Sequence, residues 1–144
     1  MRRILLVALI ATYASAFAQD AQPVYSLTIH ITGFRSDRGV LGATVFRNAD
    51  GWPEANDKAA AHNHAPIVKS ESMIRFKLPA GTYSVAVLHD ENENRKLDRG
   101  FLGIPKEGFG FSNGVKAAFS VPEWQKCAFA LNADKTIDIQ LQYK

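Results

Sequence analysis

What most constrains this chain is alternation. In Tyr25-Ser-Leu-Thr-Ile-His-Ile-Thr32 the apolar residues Leu27, Ile29 and Ile31 take every second position, with Thr28, His30 and Thr32 between them. Successive side chains on a strand point to opposite faces, so this pattern describes a strand with one face in a core and the other in water. The same period recurs at Met73–Leu78, Tyr83–Leu88 and Thr136–Tyr143. In the last of these Ile137, Ile139, Leu141 and Tyr143 alternate with Asp138, Gln140 and Gln142. Val40–Phe46, Ile67–Ser70 and Ala128–Leu131 read as further strands. The helical signals are brief: an Ala run inside 48–66, and Val121-Pro-Glu-Trp-Gln-Lys126 with proline at the first helical position. About seven short strands with turns between them predict an all-β antiparallel sandwich, with Leu27, Ile29, Val85, Val87, Ile139 and Leu141 buried. Hairpins are expected across Arg35–Gly39 and across Asn132–Lys135. Leu78-Pro-Ala-Gly-Thr-Tyr83 reads as a tight turn in which proline presets one angle and Gly81 supplies a positive φ.

The chain has 144 residues, 47% of them hydrophobic, enough for one real core. Residues 1–18 read as a signal peptide: Arg2-Arg3, an apolar Ile4–Ile10 run, then Ala16-Phe17-Ala18 ahead of a cleavage before Gln19. Residues 19–144 then form a single domain with a periplasmic or secreted fate and no membrane span, since the apolar run is too short to cross. Loss of Arg2 and Arg3 brings the balance of 17 Lys+Arg against 14 Asp+Glu close to neutral. With no basic stripe interleaved with aromatics, nucleic acid is not an expected partner. The single cysteine, Cys127, excludes an internal disulfide and lies among apolar neighbours as an inert core thiol.

The stretch His89–Gly114 stands apart. Connections beyond about 12–15 residues are usually functional, internally packed or disordered. Phe101, Leu102, Ile104, Phe109 and Phe111 carry too much apolar area for disorder. Asp90, Asn92, Asn94 and Asp98 match positions 1, 3, 5 and 9 of an EF-hand-type calcium loop, with Lys96 offering its backbone carbonyl at position 7. Arg95 stands where glycine makes the sharp turn and Phe101 where a bidentate glutamate would close the site, so calcium would bind weakly, in the roughly 10⁻⁴–10⁻³ M range. In the other, preferred reading the same Asp and Asn side chains bond to backbone amides nearby and order the loop without metal. Further on, Glu107, Phe109, Phe111, Ser112 and Asn113 are a candidate ligand surface. If the two phenylalanines face outward, with Tyr83 or Trp124 near, they make a platform; if inward, they plug the sandwich, which is the default for phenylalanine.

Catalysis finds little support. His62 and His64 lie in an Ala/Asn-rich connection with no accompanying ligand motif. His89, Asp90, Glu107 and Ser112 could be grouped on paper, but neighbours on a strand point to opposite faces, so His89 and Asp90 cannot enter one site. The sequence therefore reads as a non-catalytic binding or envelope-associated module for a small molecule, a glycan or an envelope protein. The alternative is a metal-dependent hydrolase using His62, His64 and His89.

Leu78-Pro-Ala-Gly-Thr-Tyr-Ser-Val-Ala-Val-Leu-His-Asp90, Asn92-x-Asn94, Lys96-Leu-Asp98, Leu102-Gly-Ile-Pro105 and Glu107-Gly-Phe-Gly-Phe-Ser-Asn113 together resemble the bacterial domain of unknown function family 2141 (DUF2141). The similarity runs from about Leu27 to Tyr143. It implies an exported protein with an immunoglobulin-like or transthyretin-like sandwich and no established activity. Where the family pattern has Asn-Gly-Lys-Leu-Asp, this chain has Asn94-Arg-Lys-Leu-Asp98, and His62, His64 and Cys127 lie outside the motif.

Overall fold

In the computed structural model, residues 21–144 are described; the expected leader and its cleavage point before Gln19 lie outside them. The alternating segments become strands where expected: β1 (Val24–Thr32), β2 (Val40–Phe46), β4 (Glu71–Pro79), β5 (Gly81–Asp90) and β8 (Lys135–Gln140). Three further strands join them: β3 (Ala61–Pro66), β6 (Gly108–Phe111) and β7 (Phe129–Leu131). One sheet has the order β4-β1-β8 and the other β3-β2-β5-β6, with β7 beside the start of β5. The two sheets enclose a core that includes Leu27, Ile29, Ile31, Val45, Val85, Val87, Ile139 and Leu141. This is an all-β sandwich, antiparallel except where β8 runs parallel to β1.

Several expected connections come out differently. β1 and β2 lie in different sheets, as do β7 and β8, so Gly33–Gly39 and Asn132–Asp134 cross between layers instead of closing hairpins. Alternation shows that a strand buries one face; it does not show which strand lies beside it. The 79–81 corner also changes sheets. Gly81 is not at positive φ there, and the buried Tyr83 hydroxyl donates to the Pro79 carbonyl at 2.7 Å to hold the bend. Ile67–Ser70 is a turn: Val68 bridges to Glu71 around Lys69 and Ser70, both at positive φ, whose amides donate to Asp37 at 3.1 and 2.7 Å. The strand of that region is β3, inside the stretch read as irregular. The helical turn α1 (Trp124–Cys127) begins beyond Pro122, with Glu123 before it.

β6 explains the Gly-Phe-Gly-Phe pattern. A Cβ on Gly108 would lie 2.4 Å from the Tyr143 ring, and one on Gly110 would lie 2.7 Å from Ile139. The glycines therefore face inward, where β8 and the C-terminal residues pack directly on the β6 backbone. The phenylalanines face outward. They are nonetheless buried, in a second small cluster with Cys127 against Trp52, Val115 and Ala117.

Candidate functional site

His89 and Asp90 are the last two residues of β5, so the irregular part of His89–Gly114 is Glu91–Glu107. Their side chains take opposite faces, as strand geometry requires. His89 points into the core, where its ring meets Phe34 edge-on at 5.0 Å. Its Nε2 lies 2.7 Å from the Arg38 carbonyl, which can only accept, so Nε2 carries the proton. Nδ1 then accepts from the Tyr143 hydroxyl at 2.8 Å, and that oxygen accepts from the Arg35 amide at 3.1 Å. Asp90 faces outward and is still fully buried, because the loop folds back over it.

Asp90, Asn92, Asn94, Asp98 and Glu107 turn inward on the loop's own backbone and side chains, while Glu91 pairs with Arg35 and Glu93 is exposed. Asp90 accepts from the amides of Asn94 (3.1 Å) and Arg95 (2.7 Å). Glu107, also buried, accepts from the amides of Glu91 and Asp98, both at 3.0 Å. Asn92 and Asn94 accept from the amides of Asn94 and Lys96 and donate their side-chain amides to the two Asp98 oxygens at 2.6 and 2.9 Å. Arg95 sits at φ 64, the left-handed turn that the sixth position of such a loop needs. Arg35 clamps the base by pairing with Glu91 and donating to the Lys106 carbonyl at 3.0 Å. That guanidinium holds the Glu91 carboxyl below its usual range, chiefly by its hydrogen bond. Among the described residues no three His, Cys, Asp or Glu side chains group as a metal-binding set.

The loop's other side faces a cavity of about 990 Å³ on the outer face of the β3-β2-β5-β6 sheet. Strand register sets its floor as two rows across the four strands: His64, Gly42, Leu88 and Phe109, then His62, Thr44, Ala86 and Phe111. One wall is Arg95–Leu97, Arg99 and Leu102–Pro105; the facing wall is Pro53, Glu54 and Asn56 with Ala117–Val121. Arg99 pairs with Glu54, so the two walls meet across the face. Much of the rim is apolar and open to water: Leu102 is 81% exposed, Ile104 51% and Phe119 104%. Gly42 and Ala86 leave room that larger residues would fill; a Cβ on Gly42 would come no nearer than 3.6 Å to His64.

Of the candidate ligand-surface residues, only Phe109 and Phe111 line this cavity. Glu107 is spent on the loop. Ser112 is buried, accepting from the Val85 amide at 2.9 Å and donating to the Cys127 carbonyl at 2.6 Å. Asn113 donates to the carbonyls of Lys126 and Ala128, and so pins the turn after it. Tyr83 lies in the main core, and the Trp124 indole donates to the Phe46 carbonyl, so neither joins Phe109 and Phe111 in a platform. The expected burial of the two phenylalanines holds, but its direction differs: they face outward, under cover, as a recessed floor. His62 and His64 line the cavity while His89 faces the opposite side of the sheet, so no three-histidine centre forms. Cys127 is a free, buried thiol whose pKa is pushed up to about 11 by burial, the inert state expected of it. Sequence reading passed over Gly42, Ala86 and Leu88. The available signal was an apolar Ala86 and Leu88 on the face opposite Val85 and Val87, where polar residues belong.

The fold and this surface define an all-β sandwich with a grooved outer face. The chain belongs to a bacterial family described as uncharacterized protein conserved in bacteria (DUF2141), whose model matches residues 29–140. No curated protein and no solved structure matches it.

Proposed function

We propose that the protein is an exported, non-catalytic binding module whose ligand site is the groove on the outer face of the β3-β2-β5-β6 sheet. The observation that carries this is the cavity itself. At about 990 Å³ it lies at the upper end of small-ligand pockets, floored by Gly42, Ala86, Leu88 and Phe109 and rimmed by apolar side chains left in water. Contiguous exposed apolar surface of this kind marks binding sites. A glycan is disfavoured, because Phe109 and Phe111 are too deeply covered to offer ring faces for stacking. A small molecule with an apolar body suits the floor. The purified protein should bind the neutral dye N-phenyl-1-naphthylamine with a rise in fluorescence. Gly42→Leu, which the strand accepts, should fill the floor and abolish that binding without lowering the melting temperature. Undiminished dye binding in a folded Gly42→Leu variant would overturn the reading. Export rests on the Arg2–Ala18 pattern and on the family resemblance; N-terminal sequencing of periplasmic or secreted material should return Gln19.

A weak calcium site at Asp90, Asn92, Asn94, Lys96 and Asp98 is the second reading, favoured by the left-handed conformation of Arg95. Against it, the Asn92 and Asn94 side-chain oxygens already accept backbone amides. The loop's own hydrogen bonds thus support a brace that shapes the groove wall. Melting curves with calcium and with chelator separate the two.

A further inference from the structure

The loop separates its charges. Asp90, Asp98 and Glu107 turn into its interior, on backbone amides and asparagine side chains, while Arg95, Lys96 and Arg99 line the groove. Arg99 is matched by Glu54, the one acidic side chain lining the cavity. Arg95 and Lys96 form no ion pair among the described residues, and both are exposed. The groove thus joins a recessed apolar floor to two unmatched cations at the edge formed by the loop, with Lys144, whose ammonium donates to the Ala117 and Ala118 carbonyls, in the facing wall. We infer that its occupant is a single-chain amphiphile with an anionic headgroup, a free long-chain carboxylate, with its chain over Leu88 and Phe109 and its carboxylate at Arg95 and Lys96. This rests on the groove being a ligand site.

The polarity of the walls argues for this class. A purely apolar ligand would leave the cations unused, and a cationic amphiphile would be repelled by them. A carboxylate accepts charge-assisted hydrogen bonds from both side chains, stronger than neutral ones. The exposed Phe101, Leu102 and Phe119 could instead suggest an anionic membrane surface. A bilayer would reach those tips but not Leu88, Phe109 and Phe111, which lie beneath the rim, so the concave floor favours a free chain.

The test is displacement of N-phenyl-1-naphthylamine by palmitate, hexadecanol and hexadecyltrimethylammonium below their aggregation limits, with cosedimentation on phosphatidylglycerol vesicles in parallel. Palmitate should displace the dye at about fivefold lower concentration than hexadecanol or better, and the cationic amphiphile should be weakest. Arg95→Glu with Lys96→Glu should lose the palmitate preference, palmitate and hexadecanol each being compared against the variant's own dye affinity. Equal displacement by palmitate and hexadecanol would overturn the headgroup assignment while leaving the groove a binding site. Failure of the dye and all three amphiphiles to bind would overturn both. Sedimentation with vesicles but no displacement by palmitate would replace the free ligand by a membrane surface.

Discussion

Asp90 joins the loop to the sheet through one buried carboxylate that accepts two consecutive backbone amides. Replacing it with alanine leaves the Arg95 amide without its acceptor and the Asn94 amide with Asn92 alone, and Asp90→Ala should lose about 1.5–3 kcal/mol in urea unfolding. The loss should be the same in calcium and in chelator if the ladder only braces. Calcium-dependent stabilisation of the wild type that Asp90→Ala removes would establish the metal site instead. Arg95 tests the same loop from the backbone side. A non-glycine residue at φ 64 costs about 1–2 kcal/mol, and glycine returns part of the gain through the freedom of the unfolded chain. Arg95→Gly should therefore raise the melting temperature by roughly 2–5 °C. A fall would mean that the Arg95 side chain contributes more than the strain it imposes. The Asp/Asn ladder was legible as two alternatives, because the spacing that suits a cation also suits backbone amides. Which donors face the oxygens depends on how the loop folds back.

β1 is the middle strand of its sheet, and His30 on its outer face lies between the two neighbours. Nδ1 sits 2.9 Å from Asp138 on β8 and Nε2 3.3 Å from Glu71 on β4. Hydrogen bonding to Asp138, then to Glu71, raises the His30 pKa above its ordinary value of 6.5. Protonation is thus favoured in the folded state. The stabilisation is fully present below the unfolded pKa and is lost as pH rises through the raised folded value. The ring is partly exposed, so the effect is small. His30→Gln should cost about 0.5–1 kcal/mol near pH 6 and converge with wild type at alkaline pH. Equal differences at both ends of that range would assign the loss to packing alone. His30 was read as an ordinary histidine on a wet face, and its face was right. Its two partners come from segments far away in sequence, and only the β4-β1-β8 order brings them together. β3 escaped notice for a related reason. As an edge strand whose outward side is half wet, Ala61–Pro66 carries no alternation to read.

The whole molecule is closed by its C-terminal residues. Tyr143 links the Arg35 amide to His89 at the base of the loop, and the Arg35 guanidinium lies 4.8 Å over its ring. Tyr143→Phe keeps the ring and removes the hydroxyl, which leaves buried Nδ1 of His89 without a donor. It should lose about 1–3 kcal/mol in urea unfolding. Loss of only a few tenths would mean that water replaces the hydroxyl. By itself the sequence determined the all-β class, the five alternating strands and the burial of Leu27, Ile29, Val85, Val87, Ile139 and Leu141. It did so because a period of two is a property of the strand alone. It also marked His89–Gly114 as an ordered stretch through its Asx content, although Phe101, Leu102 and Ile104, read as too apolar for water, stay exposed. The tertiary structure decided the rest: the sheet each strand enters, the parallel partnership of β1 and β8, and the covered outward position of Phe109 and Phe111. It also decided the site. The groove exists because Gly42, Ala86 and Leu88, on β2 and β5, come into register beneath a loop that folds back across their sheet. No local pattern carries that information, since register and loop direction are set by contacts between residues distant in the chain.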